Sequence, residues 1–143
     1  MRYLKNLLPT TLLLTGITLL ASCTSMRPNV AVRFSNTHPK YVMPVVILPQ
    51  DYPLIAWDNN ALPSRVAACF RVDRRGKAHD VTITHISIPD AVNKKLEHEI
   101  RGALGAYTQK LVRSSIFYAD MVNGKHVNSP RACQNFHFTG QHS

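Results

Sequence analysis

Acidic residues are scarce in this chain: 8 Asp and Glu stand against 17 Lys and Arg in 143 residues, a formal charge of +9. Cysteine is rare as well, with three in all and no Cys-x-x-Cys pair. Nothing spans a bilayer by length: the one extended apolar run, Leu7 to Leu20, holds Pro9 and Gly16 and falls short of the ~20 residues a spanning helix needs. His-Glu-x-x-His, Gly-x-Ser-x-Gly and a phosphate-binding Gly-rich loop are all missing, so no reaction class is marked. Seven histidines invite a metal reading. His79 with His85, or Cys133 with His137, could share a face, but without ligand spacing, solvated or packed imidazoles account for them better. Asp90, Glu97 and Glu99 belong to a helix face that reads as solvated. The expectation is a non-enzyme with no metal and no cofactor.

What is present begins with an address. Arg2 and Lys5 precede the apolar run, which closes on Leu20-Ala21-Ser22-Cys23. Residues 1–22 read as a secretory signal, and a cysteine directly after Leu-Ala-Ser resembles the lipobox of bacterial lipoproteins; the alternative is an ordinary signal peptide with a chance cysteine. The resemblance implies that Cys23 is acylated and becomes the new N-terminus, an anchor that several acyl chains make firm. Thr24, where a retained lipoprotein of that class would carry Asp, implies the outer membrane, facing the periplasm. The segment ahead of Cys23 carries two of the 17 basic residues, so the remainder keeps 15 against 8 acidic ones, near +7. In an exported chain such charge meets lipid headgroups, lipopolysaccharide, cell wall or an acidic partner segment rather than nucleic acid.

Residues 23–48 read as the lipidated cysteine and a tether with at best a short edge strand, since only Val30 to Phe34 looks strand-like, and with an extended reach of ~50 Å for the stretch up to Lys40. Tyr41 to Leu48 is apolar around Pro44, and periodicity leaves it open as buried strand or interaction segment. Residues 49–143 form one domain. Pro53 sits in the first turn of a short helix with Leu54, Ile55 and Trp57 as its apolar face. The central signal is Val66 to Ile88. Val66, Ala68, Phe70 and Val72 alternate with Ala67, Cys69 and Arg71, which is the period of a half-buried strand. Asp73-Arg74-Arg75-Gly76 makes the turn, and Gly76 supplies positive φ. The second arm changes phase between Val81, Ile83 and Ile86, Ile88, which predicts a bulge near Thr84-His85. Pro89-Asp90 opens a helix with Val92, Leu96, Ile100, Ala103, Leu104, Tyr107 and Leu111 as its apolar stripe. Gly102 and Gly105 either weaken it or let it pack closely. Asn123-Gly124 is a turn signal, and Val127 to Phe138 a last strand with Ala132, Gln134, Phe136 and Phe138 on one face and Arg131, Cys133, Asn135 and His137 on the other.

In that order the residues resemble the C-terminal domain of TonB-type energy transducers. Tyr52-Pro53 and Ala56 precede Val66-x-x-x-Phe70-x-Val72-Asp73-x-x-Gly76, followed after the helix by Asn123-Gly124-Lys125, Val127 and a strand closing on Phe138. Ser115, Ala119 and Asp120 stand where the family carries Trp, Pro and Ala. The resemblance implies an α+β fold: a three-stranded antiparallel sheet, helices on one face, in the order short helix-β-β-α-β. It implies binding of a partner's extended segment as an added strand, here along the last strand at Arg131, Gln134, Asn135, Phe136, His137 and Phe138. The family's sheet order would set the last strand beside the first, where Cys69 and Cys133 face each other and form a disulfide in an oxidising compartment; free thiols are the alternative. The family's membrane helix and long Pro-rich spacer are not among these residues, so the expectation is a lipoprotein that binds an envelope protein by edge-strand pairing and is not itself a full transducer. The alternative is a structural lipoprotein subunit of a secretion or envelope-spanning complex.

Overall fold

The alternating run at the centre of the chain forms the first arm of a hairpin, and everything else packs around it. A computed structural model describes residues 28–36, 44–46 and 51–140. In chain order the elements are β1 (Val30–Asn36), β2 (Pro44–Val46), α1 (Leu54–Asp58), β3 (Ser64–Val72), β4 (Ala78–Ser87), α2 (Glu97–Ser114), β5 (Ile116–Phe117), β6 (Asp120–Val122), β7 (Lys125–Val127) and β8 (Ala132–Gly140). The fold is α+β: an antiparallel four-stranded sheet ordered β1-β8-β3-β4, with two-stranded pairs β2-β5 and β6-β7 beside it.

The expected phase change in β4 is a bulge. Ala67 faces His85 while Ala68 faces Ile83, so Thr84 is the extra residue. A second irregularity lies between Cys69 and Arg71, where Asp80 takes φ of 53°. The hairpin turn is built by Asp73: its carboxylate accepts from the Arg75 and Lys77 amides at 2.8 and 3.0 Å, and Gly76 sits at φ of 82°. The same carboxylate meets His79 Nε2 at 2.8 Å, and that bond first, then the amides, pull its pKa down to about 2.

Two sequence expectations for the helices change. The main helix begins at Glu97, not at Pro89-Asp90; residues 90–96 make successive turns that bury Val92 and half-bury Leu96. Its buried stripe is Ile100, Leu104, Tyr107, Leu111 and Val112. The two glycines differ: a Cβ on Gly105 would meet Ile86 Cδ1 at 3.4 Å, whereas one on Gly102 would meet open space. Gly105 faces β4 with room for a methyl in ordinary contact, and Gly102 does not face it. In α1 Pro53 is the N-cap rather than a helical residue, and Ala56 points into the core while Leu54 and Trp57 are exposed. α1 packs beside α2, with Ala56 wholly buried in the core cluster.

The sheet has four strands where three were expected, because Val30–Asn36 adds to β8 through seven paired positions, from Val30 with Gly140 to Asn36 with Gln134. Apolar alternation in this segment drives the addition: Val30, Val32 and Phe34 pack against the core cluster on its inner side. The core itself is Phe70, Phe136, Phe138, Ile100, Leu104, Leu111, Val66 and Val72, all nearly or wholly out of solvent. At the C-terminal end of β3, Ser129 Oγ accepts from the Val72 amide at 3.1 Å and donates to the Val72 carbonyl at 3.0 Å. The Ser129 amide donates to that carbonyl too, at 2.8 Å, so the loop before β8 prolongs the sheet. Of the apolar Tyr41–Leu48 run, Pro44–Val46 pairs with β5 and the rest lies outside the described residues, as do Cys23 and the signal segment.

Candidate docking face and sheet rims

The last strand does not lie at the edge of the sheet. β8 pairs with β1 on one side and β3 on the other, so the expectation that it presents a free edge is corrected. The physical reason lies in its inward side chains. Ala132, Gln134, Phe136 and Phe138 are buried and form the middle of the inner layer, and a strand that carries so much apolar surface is flanked on both sides in a stable sheet. Three of the residues expected to touch a partner, Gln134, Phe136 and Phe138, are thus core residues. Gln134 is 3% exposed, and its Oε1 has no hydrogen-bond partner among the described residues. Arg131 is exposed one residue before the strand, and Asn135 and His137 are partly exposed on the sheet's other face.

Among the described residues that other face has no helix on it, because α2 contacts β3 and β4 on the side of the buried side chains and α1 contacts α2. Its rows follow from the register. One row runs Arg33, His137, Arg65 and Ser87 across all four strands, and the next runs Ser35, Asn135, Ala67 and His85. The third brings Cys69 opposite Cys133, joined as a disulfide, with Thr82 beyond. The pairing expected of these cysteines is present. The fourth row holds Arg71 and His79, with Arg71 ion-paired to Asp80, and Arg131 is near enough to lower the Asp80 pKa further. Between the first two rows Ser35 Oγ and His137 Nε2 are 2.6 Å apart. Burial, and then the Arg65 charge, hold the His137 imidazole below its ordinary value of 6.5.

The two rims differ. Along β4 two bulges interrupt the backbone, and α2 reaches over it: Arg101 Nη1 donates to the Ile86 carbonyl and Gln109 Nε2 to the Val81 carbonyl. Bulges and side-chain caps are common ways to blunt an edge. β1 carries an unbroken seven-residue register on its inner side, and its outer side is the regular rim of this sheet.

Among the described residues no three His, Cys, Asp or Glu side chains come together to hold a metal ion. A hollow of about 370 Å³ beside Arg71, Asp73, His79, Asp80 and Asn128 is walled by the Asp73–His79 and Arg71–Asp80 pairs that shape the hairpin. No helix among the described residues is long and apolar enough to cross a membrane. The sequence offered Val30 to Phe34 as a short edge strand, but the partner it takes, β8, was not foreseen. Comparison with protein-family models and with curated proteins gives no match to this chain.

Proposed function

We propose that this chain is a periplasm-facing lipoprotein, acylated at Cys23, whose domain is similar to the C-terminal domain of TonB-type transducers and binds an envelope protein partner by backbone strand pairing. The observation that carries the reading is the addition of β1 to β8. A segment from outside the hairpin-helix-strand unit attaches to it as an extended strand through seven paired positions, the way an external peptide would be held. The rim available to a partner is then the outer side of β1, or that of β8 once β1 has left. No reaction is assigned, and the residues are read as a binding module.

The test is photo-crosslinking in intact cells from Ser35 in β1 and, as control, from exposed Ala106 on α2. Capture of one envelope protein from Ser35 but not from Ala106 is the expected result. Equal capture from both positions counts against rim pairing. Acyl labelling that survives Cys23→Ala would remove the anchor.

A second reading, a permanent subunit of an envelope-spanning complex, draws on one feature. Tyr118, Met121 and Val122 on and beside the β6-β7 hairpin are 62%, 61% and 55% exposed, and contiguous apolar surface of this kind tends to be covered in an assembly. Migration of the extracted protein in a stable large complex in mild detergent would favour it.

A further inference from the structure

The helix-free face of the sheet is strongly basic, and the charge is sorted. Arg33, Arg65 and Arg71 stand on its strands and Arg131 just before β8 with the same parity. Of the chain's eight carboxylates, Asp80 alone lies on this four-stranded sheet, where it is tied to Arg71. Asp73 is in the hairpin turn against His79, and the other six lie off the sheet, in α1, α2, the hairpin of β6 and the connections. Arg33, Arg65 and Arg131 form no ion pair among the described residues. Between them are Ala31, Ser35, Ala67, Asn135, Thr139 and the disulfide, small or polar groups with no large exposed apolar side chain among them; the hollows on this face include one of about 160 Å³ beside Arg65, Ser87 and His137 and the one beside Arg71 and His79. Such a surface suits many weak contacts to a charged plane better than one protein anchor.

Chain length adds a second constraint. Seven steps separate Cys23 from Val30, where β1 begins, a reach of at most about 24 Å when fully extended. Val30 pairs with Gly140 at a corner of the sheet, three residues from the Arg33-His137-Arg65 row. With β1 folded onto the sheet, the tether is about half as long as the sequence suggested, and an acylated Cys23 would keep the basic face within a few Debye lengths of the headgroups.

We propose that the open face of the sheet, centred on Arg33, Arg65 and Arg131, lies on the anionic phosphate headgroups of the bilayer that holds the anchor. This rests on the lipoprotein reading given above. The orientation would leave α2 on the side away from the membrane.

The full acylated protein is placed in vesicles of phosphatidylcholine alone or with one third phosphatidylglycerol. A nitroxide amino acid is built in at Ser87, in the arginine row, or at Ala106 on α2, and its collisions with a dissolved nickel chelate are measured. The expected result is at least threefold shielding at Ser87 in the anionic vesicles only, reversed by 0.5 M salt and by R33S/R65S but kept in R33K/R65K, with Ala106 unchanged. Equal accessibility in both lipids, or shielding indifferent to salt, overturns the proposal and leaves the arginines to an acidic protein partner. Flotation of the wild-type chain with phosphatidylcholine vesicles reports the anchor separately. If the anchor fails, the unacylated Cys23→Ser chain still decides the matter: the face predicts salt-sensitive flotation with phosphatidylglycerol vesicles, weakened about 25-fold by R33S/R65S at roughly fivefold per arginine. No binding of that chain to them overturns it.

Discussion

Phe34 of β1 lies edge-on to Phe136 of β8, with ring centroids 5.3 Å apart and planes at 78°. One ring belongs to the N-terminal strand and the other to the centre of the core, so this contact joins Val30–Asn36 to the rest of the domain. An edge-to-face pair is worth ~1 kcal/mol beyond the area it buries. Phe34→Ala should therefore lower the local opening free energy of β1 by about 2 kcal/mol while the hairpin keeps its protection. Hydrogen exchange would show faster exchange confined to residues 30–36. Equal acceleration in β3 would mean that β1 and the core open as one unit.

Reduction of the Cys69–Cys133 bond should weaken the fold without dissolving it. The bridge links neighbouring strands that already pair through seven positions, and closes a span of 64 residues. The chain-entropy relation gives about 4 kcal/mol for such a loop, commonly an upper limit. Urea unfolding with and without reductant is expected to move the midpoint by most of that amount, with the same folded-state spectrum.

Stability should fall as the pH drops below 6.5, with His137 contributing. Its imidazole faces Arg33 from β1 and Arg65 from β3, and meets the Ser35 hydroxyl. Because its folded pKa is lowered, the unfolded chain binds the proton more readily, and stability rises with pH between the folded value and 6.5. The contribution is complete above 6.5 and is lost as pH falls through the folded value. Urea midpoints at pH 7.5 and 5.0 should converge in His137→Asn relative to wild type; an unchanged difference would place the proton uptake elsewhere.

Gly76→Ala should be costly for two separate reasons. The residue has φ of 82°, and a Cβ there would meet the Phe117 carbonyl oxygen at 2.5 Å. That carbonyl belongs to β5, whose Phe117 amide donates to the Gly76 carbonyl at 3.0 Å. Backbone strain alone is worth ~1 kcal/mol, and displacement of β5 from the turn should bring the loss to about 2–3 kcal/mol in thermal or urea unfolding. A loss no greater than at exposed Gly124, where a Cβ meets nothing within 4 Å, would mean that β5 moves aside freely.

Gln134→Met should be neutral or stabilising by about 1 kcal/mol. The amide is buried with Oε1 unpartnered, and an unmet buried acceptor costs ~1–3 kcal/mol, which an apolar side chain of similar volume removes. Urea unfolding checks the sign.

Much of the architecture could be read along the chain because it rests on local periodicity. The Val66–Val72 alternation, the Asp73–Gly76 turn, the slip at Thr84 and the Ile100–Leu111 stripe each follow from a repeat of two or 3.6 residues, set by backbone geometry alone. The cysteines shared a parity, and a shared parity is what neighbouring strands convert into a contact. Other features depended on what lies across the sheet. Whether β8 is a rim or an inner strand was decided by β1, 102 positions earlier at the Ser35–His137 bond, and no short-range pattern reports a pairing at that distance. The place of Val30–Asn36 was decided in the same way, since its seven residues pair with β8 in the sheet. Side-chain alternation assigned each residue to a face, but only the burial of Val30, Val32 and Phe34 against the core determined which strand would be the rim.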